Sequence, residues 1–311
     1  MRRLLVSLFT SAVVGLQVTS CGIHPTQGPW SGSTAQPTRA GQFTDCRQHF
    51  AGGVAPLTPD APRLRELCFD AFAVLHSGNT RTPVYVAERL NRQILQQARQ
   101  QHRTDHFYAD ARLPRGERAE LEDYRGSGYA RGHMAPAGDM GTPEAMAQSF
   151  SLANMVPQDP KQNSGPWARI EEDTRRYAMR ARGDVYVITG PVFEPGAKTI
   201  GAAQVAVPSH LFKLVYDAET GRSWAHWQQN APDATAGPPI TLQEVERRTG
   251  MRLLPSPRRR IDARPRQAPS QLHGNSCIFI QSLLLQEKRD VRNRHPRLHR
   301  RPVRFPRTAA A

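Results

Sequence analysis

The sequence lacks a hydrophobic run long enough to cross a membrane. Its N-terminal apolar stretch, residues 4–16, is shorter than the ~20 residues that a transmembrane helix needs. Because Arg2 and Arg3 precede this stretch, it is typical of an export signal. The sequence therefore predicts a signal peptide over residues 1–20 and an exported protein.

The segment Val-Thr-Ser-Cys at residues 18–21 resembles a bacterial lipoprotein cleavage box. This predicts that Cys21 carries a lipid that tethers the protein outside the bilayer, which would be its one membrane contact. An ordinary signal peptide is the alternative. We predict a periplasmic or membrane-anchored lipoprotein, with secretion as the alternative. A flexible linker rich in Gly, Pro, Ser and Thr is expected over residues 21–45.

Cysteine is scarce, with four residues in the chain. Once Cys21 is assigned to the lipid, Cys46 and Cys68 are predicted to form a disulfide in an oxidising compartment. The bridge would close a loop of about 20 residues and add about 3 kcal/mol of stability. Two free buried thiols are the alternative. Cys277 has no evident partner.

Lysine is also scarce, at four of the 42 basic residues, which suggests a GC-rich gene. Of the charged residues, 14 basic and 3 acidic ones follow Leu254, leaving 28 basic and 24 acidic ones in the rest. The net charge of +15 therefore says little about the body of the protein. Residues 255–311 are predicted to be a basic Arg/Pro-rich tail, either disordered or the product of a frameshift. A third interpretation is that this tail binds nucleic acid non-specifically.

Hydrophobic patterning predicts one α+β domain over residues 46–254, without internal repeats. Its strands are expected at residues 83–88, 184–191, 205–208, 211–216 and 224–228. Helices are expected at residues 91–102 and 163–182, and after the capping residues Thr142 and Thr241. We expect an antiparallel sheet with the helix of residues 163–182 packed against it.

Three segments in the middle of the chain bring together side chains suited to one chemistry. They contain Arg131-Gly132-His133, then Asn154 and Pro157-Gln158, then Asn163 and Trp167 with Glu171 beyond. Cleavage of a phosphodiester needs a base for water, a cation at the leaving oxygen and an arginine on the non-bridging oxygens. The segments offer one candidate for each role.

In this order the segments resemble the DNA/RNA non-specific endonucleases, over residues 67–230. The resemblance implies an antiparallel β-sheet core with a ββα-metal active-site motif and packed helices. It also implies metal-dependent cleavage of DNA and RNA. Ala130 stands where the family has aspartate. Alanine accepts no hydrogen bond through its side chain, so we expect reduced activity.

The resemblance implies that His133 is the general base, that Asn163 binds the metal and that Glu171 orders the water around it. The base must be neutral, and both Arg131 and a metal would disfavour its imidazolium form. One neutral amide ligand leaves most of the shell to water, which suits Mg²⁺, with Mn²⁺ as the alternative. For Asn163, capping of its helix is the competing role.

The remaining candidates are substrate and support residues. Arg131 is expected to bind the scissile phosphate, with a surface ion pair as the alternative, and Arg103 is a weaker phosphate candidate by position. Asn154 is assigned to the catalytic set and Gln158 to the substrate-binding set. Both would hold metal-bound water, His133 or the loop, with ordinary turn hydrogen bonds as the alternative. Trp167 is expected in the core.

These assignments predict a Mg²⁺-dependent endonuclease whose partners are DNA and RNA. No base-reading motif is evident, which agrees with recognition of the backbone. A catalytically weakened nucleic-acid-binding pseudonuclease is the alternative, and an anchored scaffold is another. The sequence indicates no particular protein partner.

Overall fold

An antiparallel sheet of six strands is the centre of the computed structural model, which describes residues 39–255. The strands are β1 Arg39–Ala40, β2 Leu57–Thr58, β3 Leu64–Cys68, β4 Phe72–Ser77, β5 Thr82–Leu90, β6 Ala130–His133, β7 Met155–Gln158, β8 Val185–Val192, β9 Thr199–Ile200, β10 Val205–Ala206, β11 His210–Asp217 and β12 Ser223–Gln229. The helices are α1 Arg92–Ala98, α2 Leu121–Tyr124, α3 Pro143–Ser149, α4 Pro160–Gln162, α5 Ala168–Arg180 and α6 Leu242–Thr249. The order in the main sheet is β12-β11-β8-β5-β4-β3.

The two faces of this sheet bury different clusters, because neighbouring residues of a strand point to opposite sides. On one face, Val86 and Leu211 pack with Trp167 and Ile170 of the helical segment near the candidate site. On the other face, apolar strand residues pack with α6 and the N-terminal segment; these residues include Tyr85, Ala87, Ile188, Phe212 and Leu214, with Val245, Phe43 and Phe50. The sheet thus forms the rigid layer beneath the site.

The disulfide predicted between Cys46 and Cys68 is confirmed, with 5.6 Å between the two Cα atoms. It joins the segment before the sheet to the end of β3, an edge strand. Phe43 and Phe50 pack against each other beside Cys46, with ring centroids 4.9 Å apart. The bridge therefore fixes the N-terminal segment over an apolar face of the sheet.

A separate hairpin of β6 and β7 carries the Arg-Gly-His segment. Its register pairs Gly132 with Val156 and His133 with Met155. A Cβ atom at Gly132 would overlap Oε1 of Gln158, so glycine is required at this position. Helical residues follow β7 directly, which completes a β-β-α unit. The predicted α+β architecture with this motif is confirmed.

The helix predicted over residues 163–182 begins earlier. Asp159 is its N-cap and accepts hydrogen bonds from the backbone N–H groups of Lys161 (2.9 Å) and Gln162 (3.1 Å). The helical backbone then continues through a π-helical turn, Asn163–Trp167, into α5. Pro166 has no N–H to donate, and the wider turn accommodates it.

Other element predictions agree in place and differ in length. The helix expected over residues 91–102 ends at Ala98, and the strand at 205–208 has two residues. Thr142 and Thr241 cap their helices as predicted. Within residues 39–255, no helix is long and apolar enough to span a membrane. The domain limits remain predictions, and the signal peptide, Cys21, Cys277 and the tail lie outside the described residues.

Candidate active site

His133 ends β6 in an almost closed aromatic surrounding. Its ring lies edge-to-face on Phe150 with centroids 5.1 Å apart, and 5.8 Å from the ring of Phe107. Nε2 is buried and has no hydrogen-bond partner among the described residues. Burial, followed by the charge of Arg103, lowers the pKa of His133 to about 3, while Asp105 opposes this. The imidazole is therefore neutral near pH 7 and can accept a proton.

Two arginines lie on the same aromatic rings. Cζ of Arg131 is 4.1 Å from the ring centroid of Phe107, and Cζ of Arg103 is 5.0 Å from that of Phe150. Arg131 is two residues before His133 in β6, so both side chains leave the same face of the strand. The expectation that Arg131 holds His133 neutral needs correction, because burial and Arg103 are the causes.

These arginines differ in their ion pairs. Arg103 pairs with Asp105, its Nε lying 2.6 Å from Oδ1, and its side chain is 53% exposed. Arg131 forms no ion pair with another described residue, so the surface ion pair considered for it is absent from this part of the chain. Both guanidinium groups lie on the aromatic rings that pack against His133.

Asn163 lies at the start of the π-helical turn and is half-buried. The cap of this helix is Asp159, so the capping role considered for Asn163 is wrong. Its carboxamide forms no hydrogen bond with another residue in the described range, although its backbone N–H donates to Asp159 O at 2.8 Å. The amide oxygen is thus available to a ligand.

Glu171 and Arg175 of α5 form an ionic cluster with Asp139, which lies in the segment before α3, and the family motif contains neither Arg175 nor Asp139. Arg175, one turn after Glu171, donates from Nη1 to Oδ1 of the buried Asp139 at 3.0 Å. Burial, with Asp139 adding to it, raises the pKa of Glu171 to about 7, and Lys213 and Arg175 oppose this rise. The i, i+4 spacing of Glu171 and Arg175 is a signal in the sequence. Nothing local in the sequence indicates Asp139 or the aromatic Phe107.

Asn154, predicted to hold metal-bound water, His133 or the loop, is fully buried and its carboxamide is occupied. Oδ1 accepts from the backbone N–H of Ala135, and Nδ2 donates to the carbonyl oxygens of Ala135 and Ser149, all at 2.9 Å. Asn154 therefore fixes the loop that follows His133. Of the roles considered for it, support of the loop is the one that its contacts allow.

Gln158, predicted to hold metal-bound water, His133 or the loop, is enclosed, and its Oε1 has no hydrogen-bond partner among the described residues. Gln158 is fully buried, and its Nε2 donates to Oε1 of Gln162 at 2.5 Å. Gln162 donates in turn to Oε1 of Gln228 on β12 at 2.8 Å. This chain of amides joins the hairpin to the edge of the main sheet, and Gln158 supports Gly132 rather than contacting substrate.

The donor set at the site favours a hydrated hard cation. In the described part of the chain, no three His, Cys, Asp or Glu residues are arranged to hold a metal ion. The free amide of Asn163 is a single neutral oxygen ligand, and Glu171 is a carboxylate on the same helical unit. Such a set suits an ion that keeps most of its water, such as Mg²⁺, and does not suit a closed structural zinc site.

Comparison with known proteins identifies nucleases. The chain is 35% identical over 231 residues to the human protein named nuclease EXOG, mitochondrial, covering 67% of this chain and 61% of the relative. It is 31% identical over 205 residues to human endonuclease G, covering 60% and 68%. It spans about half the length of the EXOG relatives that it matches.

A solved structure shows the same fold. One chain in a crystal structure of an EndoG/EndoGI complex, described as explaining EndoG inhibition, superposes with a TM-score of 0.52 and 26% identity. The match covers 62% of this chain and 86% of that chain.

The predicted export is wrong. The frog and human EXOG relatives and Nuclease 1 of fission yeast carry mitochondrial names, which point to mitochondria rather than to an exported or periplasmic location. The N-terminal pattern alone is misleading, because mitochondrial transit peptides are also basic, rich in serine and poor in acidic residues. The first acidic residue here is Asp45.

The family assignment rests on the whole domain as well as on the motif. The sequence model of the DNA/RNA non-specific endonucleases matches residues 57–259, which include every described candidate from Arg103 to Glu171. The resemblance seen in the motif is thereby confirmed, and the departure at Ala130 does not remove it. The chain belongs to the DNA/RNA non-specific endonuclease family.

Proposed function

We propose that this protein is a metal-dependent endonuclease that hydrolyses phosphodiester bonds of DNA and RNA with little sequence preference. The observation that supports this best is His133, a buried neutral imidazole with an unpartnered Nε2, packed against two aromatic rings that each carry an arginine. The family membership and the nuclease names of the relatives agree with it.

In the proposed reaction, Nε2 of His133 takes a proton from water as the water oxygen forms a bond to phosphorus. The bond from phosphorus to the 3′ oxygen breaks, and the leaving oxygen then takes a proton from solvent. Arg131 and Arg103 donate hydrogen bonds to the non-bridging oxygens and offset their negative charge. By resemblance, the products carry 5′ phosphates.

A divalent ion, Mg²⁺ or alternatively Mn²⁺, would be held through Asn163 and would supply positive charge at the leaving oxygen. Glu171, in its ionised form, accepts hydrogen bonds from water near Asn163. Arg175 holds Asp139 on the adjacent loop and keeps the acidic side of the site in place. Phe107 and Phe150 exclude bulk water from His133.

A non-catalytic nucleic-acid-binding protein is the second candidate, favoured by Ala130. This residue pairs with Gln158 at the start of β6 and places no carboxylate beside Arg131. Such a protein would bind DNA with Mg²⁺ present and leave it intact. Metal-dependent cleavage by the wild-type protein separates the two candidates.

The test is nicking of a supercoiled plasmid and cleavage of a structured RNA, each with Mg²⁺ and with a chelator. The wild-type protein should cut both substrates only with the metal. His133→Ala should lose at least ~100-fold in rate while staying folded, because general-base catalysis contributes about this much. The exposed His102→Ala is the matched control and should retain wild-type activity. Near-normal nicking by a folded His133→Ala variant would remove the proposed mechanism.

A further inference from the structure

Lys213 is a buried cation beneath the candidate site. It lies in the middle of β11 with 1% of its surface exposed, and burial of an ammonium group is costly unless it is compensated. Its Nζ donates to Oγ1 of Thr189 at 2.8 Å and lies 3.5 Å from the carbonyl oxygen of Met134. It also lies 5.6 Å from the ring centroid of Trp167. None of the described carboxylates forms an ion pair with it at contact distance.

The register of the sheet explains why this side chain faces the site. Lys213 is opposite Thr189 in β8, and Thr189 is opposite Val86 in β5. Directly paired residues share a face, and Val86 packs with Trp167 under the helical unit. Met134 directly follows His133, so Lys213 reaches the backbone that carries the proposed base.

Three carboxyl groups interact electrostatically with this cation. Glu88 lies two residues after Val86, is 2% exposed, and neither of its carboxyl oxygens has a hydrogen-bond partner among the described residues. Asp139 and Glu171 are the other two. The cluster thus holds three acidic groups against two cations, of which Arg175 is already bonded to Asp139.

The groups in the cluster influence one another. Burial, then the charge of Asp139, raises the pKa of Glu88 well above its ordinary value, and Lys213 is the first group that opposes the rise. Burial raises the pKa of Asp139, with Arg175 and then Lys213 opposing. On the neighbouring strand β12, His226 lies directly opposite Lys213. Burial, then the charge of Lys213, lowers the pKa of His226, and Asp173 of α5 opposes this change.

We propose that Lys213 is a positioning residue for the nuclease reaction, which holds the Met134 backbone beside His133 and offsets the charge of the acidic cluster formed by Glu88, Asp139 and Glu171, so that part of this cluster stays ionised. This inference rests on the proposed function. The residue touches neither water nor substrate, so it acts through His133 and through the acidic residues of the site. Asp139 is bonded to Arg175 and Glu88 has no hydrogen-bond partner among the described residues, so Glu88 depends on Lys213 more than Asp139 does.

The experiment compares three variants with the wild-type protein. Lys213→Met keeps an unbranched chain of similar length and removes the charge. Thr189→Val is the matched control, since it removes the hydroxyl partner and keeps the charge. The double variant Lys213→Met/Glu88→Gln removes the cation together with one of the three acidic groups that compete for the remaining positive charge. Folding is followed by circular dichroism and Tm. The values of kcat and KM are measured from about pH 5.5 to about pH 9, a range that includes the pKa of Glu171, about 7.

Lys213→Met should lower kcat at neutral pH at least ~10-fold and leave KM within about twofold, because interactions made in the transition state affect kcat. The acidic limb of its profile of kcat against pH should move to higher pH, since carboxyl groups that lose a neighbouring cation ionise less readily. The double variant should regain most of the kcat and return the limb towards its wild-type position. Thr189→Val should keep the wild-type pH profile.

A folded Lys213→Met variant with wild-type kcat and pH profile would overturn the inference and leave the proposed nuclease function intact. A double variant that folds but stays as inactive as Lys213→Met would overturn the charge-balancing role. If Lys213→Met fails to fold, the double variant decides: activity supports the inference, and failure to fold would show that Lys213 is purely structural. An inactive wild-type protein would overturn both this inference and the proposed function.

Discussion

At the scale of single residues, Asn163 shows how a free amide differs from a structural one. Asn154 and Asn163 both belong to the family motif, yet all the hydrogen-bonding capacity seen for Asn154 is used inside the loop after His133. The carboxamide of Asn163 forms no hydrogen bond with another described residue, and Asp159 caps the helix. A side chain held at the site without a protein partner is suited to bind a ligand.

Asn163→Ala should therefore abolish plasmid nicking and weaken Mg²⁺ binding in calorimetry, with little change in Tm. Asp159→Ala, which removes the actual cap, should lose about 1 kcal/mol of stability and keep its nuclease activity. Ser164→Ala, at the exposed neighbour, is the control for changes in this turn. Normal metal binding and nicking by Asn163→Ala would show that the ion is held elsewhere.

The sequence shows the chemistry of the site but does not show burial. His133, Asn163 and Glu171 can be identified because each is the right residue type in an ordered motif. The motif alone does not distinguish the roles open to Asn154 and Gln158, since only the packing of the loop and of β12 shows that both side chains are enclosed. Arg103 influences His133 from a segment about 30 residues away, which no local pattern reveals.

At the scale of elements, the β6–β7 hairpin is held at a fixed position by close contact. The space beside Gly132 is filled by Gln158, whose own Cβ would lie 2.6 Å from a Cβ added there. Gln158 cannot withdraw easily, because its Nε2 is bonded to Gln162. These contacts therefore hold the backbone of Arg131 and His133 in a fixed position relative to the helical unit that follows β7.

Gly132→Ala should push the two strands apart and destabilise the protein by about 1–3 kcal/mol, the range for overpacking in a core. Because the strand carries the proposed base, nicking should fall more than the fraction of folded protein does. Gly116→Ala is the control, since nothing lies within 4 Å of a Cβ at that position. Urea unfolding gives the stability, and nicking at a temperature where both variants are folded gives the activity. A stable and active Gly132→Ala variant would show that the close contact between Gly132 and Gln158 does not fix the hairpin.

Element positions follow from the sequence better than element ends do. The strands at residues 184–191 and 211–216 are predicted correctly because each is a short apolar run bounded by turn residues. The start of the long helix is predicted too late because Asn163 looks like a cap, whereas Asp159 four residues earlier serves as one. The π-helical turn around Pro166 depends on the packing of Trp167, which is fully buried, and spacing alone does not predict it.

At the scale of the whole molecule, residues near the C-terminal end of the described range still pack into the core. Leu253 is 1% exposed, and its N–H donates to Oε1 of Glu246 at 2.8 Å. The backbone of Arg252 exchanges two hydrogen bonds of 2.9 Å with Leu57. The match to the family ends at residue 259. Every candidate site residue and the disulfide lie before this point, and we therefore expect the chemistry to proceed without the basic segment beyond it.

Removal of residues 260–311 should therefore leave Tm and plasmid nicking at low salt close to those of the full chain. The removed segment carries 12 basic and 3 acidic residues, and its loss should chiefly change the response to salt. Cations that neutralise phosphates release counterions, so affinity falls more steeply with salt when more of them take part. The measurement is KM for plasmid against salt concentration for both proteins, with a short oligonucleotide as a control substrate that offers few phosphates outside the site.

A shallower slope for the shortened protein on plasmid alone supports an accessory role for the segment, and equal slopes contradict it. Failure of the shortened protein to fold would show instead that residues after 259 complete the core, and that both the predicted domain boundary and the predicted frameshift are wrong.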